Sequence, residues 1–171
     1  MSEVRATREL AASAEQAWLA WSDPDYVRRW WGPEGFTCPR ADLDFRVGGT
    51  SLVTMQAPEA YGGMRLHNGW TYSTITSPTL IEFVLTFTDE EGQVLDPAEL
   101  GIEGGVPREV PHRVDITPLG ADRSQVTVTE SGYTTDLARE RSQPGLEQCL
   151  DKMQAIFAAE GGRASRPEPA G

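Results

Sequence analysis

The stretch from Ser13 to Pro33, SAEQAWLAWSDPDYVRRWWGP, constrains this chain more than any other. It holds Trp18, Trp21, Trp30 and Trp31, and two helix starts. Ser13 offers an N-cap, with Gln16 at capping-box spacing. Ala14, Ala17, Trp18 and Trp21 then share one helical stripe. That helix ends by Ser22. Asp23-Pro24 begins another, because Asp caps and Pro loses nothing at the first helical position. Val27, Trp30 and Trp31 form its apolar side, Arg28 and Arg29 its wet side. Gly32-Pro33 stops it: Gly tolerates the left-handed position after a helix, and Pro forbids continuation. The expectation is two short helices at an angle.

Around this corner the pattern is that of strands. Val4 to Leu10 alternates and reads as a half-exposed first strand. Strands follow over 36–45, 51–56, 64–75, 80–88, 110–118 and 124–130, separated by Gly48-Gly49, Gly62-Gly63, Ser77-Pro78 and Gly120-Ala121-Asp122. In the third of these, Met64, Leu66, Trp70 and Tyr72 are read onto one face. Ile81, Phe83, Leu85 and Phe87 give the cleanest half-buried antiparallel signature. His112 faces as Val114 and Ile116 do; Glu130 faces as Val126 and Val128 do. Residues 89–109 are rich in Gly, Pro and acids, and Asp96-Pro97-Ala98-Glu99 suits a single helical turn. Such a long connection is expected to be a lid, an interface element or a mobile loop.

Over 135–159, Leu146, Cys149, Leu150, Met153, Ile156 and Phe157 recur at helical spacing. Pro144 predicts a kink there, or a helix start near Gln143. Residues 1–160 form one expected domain and 161–171 a disordered tail. The order implies an α+β fold: a curved antiparallel sheet of about seven strands around a long C-terminal helix, with two short helices after the first strand. A broad sheet gripping one helix leaves unfilled space, so a cavity is expected between them.

Composition excludes several functions. The net charge of −11 argues against nucleic acid and anionic membrane, which need clustered cations. No run approaches a membrane span and no signal peptide is evident, so a cytoplasmic location is expected. Cys38 and Cys149 lie far apart and read as reduced, buried thiols. The two histidines, His67 and His112, have no metal-ligand spacing around them, so neither metal nor cofactor is expected.

Trp21-Ser22-Asp23-Pro24 through Trp30-Trp31-Gly32-Pro33 resembles the W-[ST]-x-P-x(5)-W-[WF]-x-P signature of the family named after the activator of the heat-shock-protein-90 ATPase. Asp44-Phe45-Arg46-Val47-Gly48-Gly49 is similar to its D-x-R-x-G-G turn, and Ile75 and Pro78 match two further positions. Gly145-Leu146 to Leu150-Asp151-Lys152-Met153 resembles its G-W-x-x-x-L-D-x-L, with Leu146 where tryptophan is usual. Thr74 stands where many members carry Glu. The resemblance implies the START-like helix-grip (SRPBCC) fold with a ligand-sized pocket. It leaves the ligand open.

Strand parity makes His112 and Glu130 the polar candidates, either as a ligand's anchors or as general acid and base. The ligand-binding candidates are Trp30, Met64, Trp70, Tyr72, Phe83, Phe87, Met153 and Phe157 with that pair, and Met55 joins the expected apolar lining. Adjacent on a short helix, Trp30 and Trp31 cannot both be fully buried. Three functions fit: a binding protein for a small hydrophobic or aromatic molecule, a cyclase- or hydrolase-like enzyme using Glu130 or His112, and a protein-interaction module. A homodimer is left open.

Overall fold

The caps at the tryptophan corner form as their residue types dictate. In this computed structural model, which describes residues 3–102 and 104–164 with side chains to 161, β1 (Val4–Leu10) leads into α1 (Ala14–Ser22) and α2 (Pro24–Trp30). Ser13 Oγ accepts from the Gln16 amide at 3.1 Å, and Gln16 Oε1 accepts from the Ser13 amide at 2.9 Å. Asp23 caps α2 through the Asp25 amide at 2.9 Å. Gly32 has φ +110°, and a Cβ there would meet Phe36 Cβ at 2.9 Å, so glycine is required on both counts. Trp30 Nε1 donates to Ala20 O at 2.7 Å and fixes the angle between the helices.

β2 (Thr37–Asp42), β3 (Thr50–Gln56), β4 (Arg65–Thr76), β5 (Leu80–Thr88), β6 (Val94–Leu95), β7 (Glu109–Gly120) and β8 (Arg123–Glu130) follow, and α3 (Asp136–Ala164) comes last. The antiparallel sheet runs β1-β8-β7-β5-β4-β3-β2, with β6 paired to β5 off this path. Period-two alternation turns Leu66, Asn68, Trp70 and Tyr72 of β4 inward with Phe83 and Leu85 of β5, Val114 of β7 and Val128 of β8. Leu150, Met153 and Phe157 of α3 meet this face with at most 2 % exposure. This is the expected α+β helix-grip arrangement.

Helix α3 is fastened at several points. Lys152 Nζ donates to Gly32 O at 3.0 Å and Phe36 O at 3.2 Å, tying the helix to the turn after α2. Tyr26 stacks on Phe157 and donates to Glu160 at 2.9 Å. Along β1, whose other side carries no strand among the described residues, Gln143 donates to Arg5 O, the Arg8 guanidinium to Thr7 O, and Gln154 to Glu9 O. Side chains thus occupy acceptors that an exposed strand edge would offer to another chain.

Four expectations need correction. Met64 is 60 % exposed rather than inward. It precedes β4, in the turn that Gly62 and Gly63 make with positive φ, where strand alternation has not begun. Residues 89–109 are ordered where described: β6 pairs β5, Asp96 and Glu99 cap a 3₁₀ turn over Pro97–Leu100, and Leu100, Ile102 and Val106 pack on the core. The Gly105 carbonyl accepts from the Thr134 amide at 2.9 Å, strapping the segment to the start of α3. That helix begins at Asp136, not near Gln143, and continues through Pro144. The missing Pro144 amide bond would run to Glu140; both residues are exposed, so water reaches the freed carbonyl. Finally, the helix extends through 161–164; the remaining expectation of a disordered tail, over 165–171, lies outside the described residues.

Candidate functional site

The grip is not filled along its whole length. At its middle, Trp21 and Trp30 pack 4.6 Å apart, and Trp70 stacks on Phe83 at 5.0 Å. Toward the first half of α3 the packing opens into a cavity of about 300 Å³. Trp21, Trp30, Trp31 and Pro33 close one side. Met55, Leu66 and Val128 come from the sheet, and Ser142, Gly145, Leu146 and Cys149 from α3. A smaller void of about 110 Å³ continues it toward β5, reaching Asn68, Leu85, Phe87 and Val110.

One wall is polar. His112 and Glu130 are register partners across β7 and β8, and both side chains line both spaces. His112 Nε2 lies 3.1 Å from Glu130 Oε2, with side-chain exposures of 5 % and 13 %. His112 Nδ1 lies 2.9 Å from Val110 O. A carbonyl only accepts, so Nδ1 carries hydrogen. Nε2 is then the ring nitrogen that faces the Glu130 carboxyl. The imidazole also stacks on Phe83 at 4.7 Å, which fixes its plane.

Tyr133 adjoins the pair. Burial foremost, then the charge of Glu130, pushes its phenol well above the ordinary value. Tyr133, Glu130 and His112 therefore stand together on the lining of one apolar space. That arrangement anchors a polar group of a ligand, and it can give or take a proton.

The structure separates the residues named from sequence. Trp30, His112 and Glu130 line the main cavity, and Phe87 lines the smaller void. Trp70, Tyr72, Phe83, Met153 and Phe157 are at most 2 % exposed and line neither space. They fill the core, because parity gives the face of a strand but not the depth at which packing stops. Tyr72 instead bonds Ser51 Oγ at 2.6 Å. Trp31, at half burial, faces both spaces.

Sequence reasoning missed Asn68 and Tyr133. Asn68 shares the parity of Leu66 and Trp70, and that signal was available. Tyr133 follows Gly132 in a loop with no periodicity to read. Cys38 and Cys149 are buried free thiols, and burial pushes Cys149 up to about 11. Among the described residues no cluster of three His, Cys, Asp or Glu could hold a metal, and no helix is long and apolar enough to cross a membrane.

A model of the family described as Activator of Hsp90 ATPase homolog 1-like protein matches residues 11–158. A solution structure of a protein from Arthrobacter aurescens shares 25 % identity at a TM-score of 0.72, covering 92 % of this chain and 86 % of that one. The AHSA1 protein of Silicibacter pomeroyi shares 23 % identity at a TM-score of 0.74, covering 93 % and 99 %. A protein from Chromobacterium violaceum shares 23 % identity at 0.73, covering 91 % and 96 %. No curated protein matches.

Proposed function

Since this chain belongs to the Activator of Hsp90 ATPase homolog 1-like protein family, built on a fold that suits ligand-binding or interaction modules, we propose that it binds a small hydrophobic or aromatic molecule between the sheet and α3. The observation that carries this reading is the cavity of about 300 Å³, walled by tryptophans and aliphatic side chains with one polar wall. A space of that size and character is typical of small-molecule sites. Its mouth and polar wall orient the ligand: the apolar body lies on Trp31 and Leu146, and a polar group meets Glu130 or His112. The buried thiols suit a reducing compartment, in keeping with a cytoplasmic protein.

Native mass spectrometry with a panel of small aromatics tests this. A one-to-one complex that survives mild activation supports the reading. No complex with any apolar compound, at concentrations up to their solubility, counts against it.

A second reading is favoured by the His112–Glu130 contact. A carboxyl and an imidazole in contact beside an apolar space can act as general acid and base on a bound molecule. Deuterium exchange at the carbon beside a carbonyl in a bound aromatic ketone would register it. Exchange no faster with the wild type than with Glu130→Gln removes this second reading and leaves the first intact.

A further inference from the structure

The smaller void carries information about the ligand's polar end. It shares Trp31, His112, Glu130 and Tyr133 with the main cavity, so one elongated molecule can occupy both. Two polar atoms of its lining residues have no hydrogen-bond partner among the described residues: Asn68 Oδ1 and Trp31 Nε1. Asn68 is only 2 % exposed. Its Nδ2 donates to Thr86 O at the long distance of 3.5 Å, which sets the amide's orientation, since the reverse would place two oxygens together. The unpaired atoms are of opposite kinds, an acceptor without a donor and a donor without an acceptor. Buried groups of either kind are normally paired. Asn68 is also out of character for its place, between Leu66 and Trp70 on the inward face of β4.

We propose that this void is a subsite for a neutral hydroxyl, alcohol or phenol, carried at the buried end of an otherwise apolar ligand. The proposal rests on the binding reading above and narrows its ligand class. A hydroxyl donates to Asn68 Oδ1 and accepts from Trp31 Nε1–H at once. A carboxylate has no proton to donate and would crowd Glu130. An ammonium cannot accept from the indole, and a ketone answers only the indole. Both residues line the void, and both unpaired atoms are covered by their neighbours. The outer torsion of an asparagine is soft, so a small turn of the amide completes the contact.

Calorimetric titration with two probes of nearly equal shape, 2-naphthol and 2-methylnaphthalene, tests the subsite. The wild type is expected to bind 2-naphthol about tenfold more tightly. Asn68→Leu is expected to erase that preference while leaving the affinity for 2-methylnaphthalene within about threefold of the wild type. Equal binding of the two probes by the wild type, or a preference that survives in a folded Asn68→Leu, overturns the subsite and leaves the binding reading standing. Binding of neither probe overturns the subsite, and the binding reading falls with it when no other apolar compound forms a complex. A reading that needs no substitution accompanies this: the Trp31 indole N–H resonance moves further downfield with 2-naphthol than with 2-methylnaphthalene. Identical responses to the two probes contradict the proposal even if the variant fails to fold.

Discussion

His112 and Glu130 stand opposite each other on neighbouring strands, and their side chains meet at 3.1 Å inside the grip. The strand register brings them together, and the Val110 carbonyl decides which imidazole nitrogen is left to face the carboxyl. Because each is the other's close polar contact in a buried place, the two depend on one another. Removing one leaves a polar group buried without its partner.

Glu130→Leu and His112→Leu are each expected to cost about 1–3 kcal/mol in unfolding free energy. The double variant should cost less than the sum, by about 0.5–3 kcal/mol, since neither orphan remains. Chemical denaturation of the four proteins measures this cycle. Strict additivity would show that the contact carries no coupling.

Leu146→Trp should fill the cavity without disturbing the fold. Leu146 lines the space from α3, and beside it an added Cβ at Gly145 would meet no atom within 4 Å. Affinity for an aromatic probe should fall by about tenfold or more, as a site loses its room. The melting temperature should hold or rise, because cavity filling restores lost packing contacts. An unchanged affinity would place the probe elsewhere.

Lys152 fastens α3 to the corner after α2 through two backbone carbonyls. Lys152→Met keeps the stem and removes the donor. A loss of about 1–3 kcal/mol is expected, since both carbonyls lose a charged partner. The loss should show in denaturant midpoints with an unchanged slope.

Alkali should weaken the fold before it reaches the ordinary tyrosine range. Burial raises Cys149 to about 11 and Tyr72 to about 12, the latter partly offset by the Ser51 bond, and it raises Tyr133 as well. In each case the folded chain keeps a proton that the unfolded chain gives up. The folded state therefore binds more protons at high pH, and stability falls as pH rises. The contribution is intact below the ordinary thiol value of 9.0 and is lost progressively toward about 12. Melting temperature followed from neutral to alkaline pH should show this decline, and Tyr72→Phe should make it shallower. A flat profile would contradict the burial of these groups.

Local chemistry made the corner legible: Ser13, Asp23 and Gly32 each do what their side chains favour. Parity made His112 and Glu130 legible, because both share a face with valines on adjacent strands. What escaped was depth and exception. Trp70 and Phe83 have the right parity for a lining, but their stacking fills the space they would have lined. Met64 stands one residue before β4, where strand alternation has not begun. Pro144 reads as a breaker in any sequence, and only the exposure of its turn explains why the helix passes through it. Asn68 is hard to read from sequence, because a polar residue in an apolar alternation looks like an interruption rather than a site.

The central claim is that the space between α3 and the sheet holds an apolar molecule. The five tryptophans provide reporters at known places. In a heteronuclear NMR titration with 2-methylnaphthalene, the indole signals of Trp21, Trp30 and Trp31, which line the cavity, should shift and saturate together. That of Trp18, which packs on Phe45 and lines neither space, should stay in place. Shifts confined to the exposed hairpin around Tyr61 and Met64, or no saturable shift at any indole, would contradict the account.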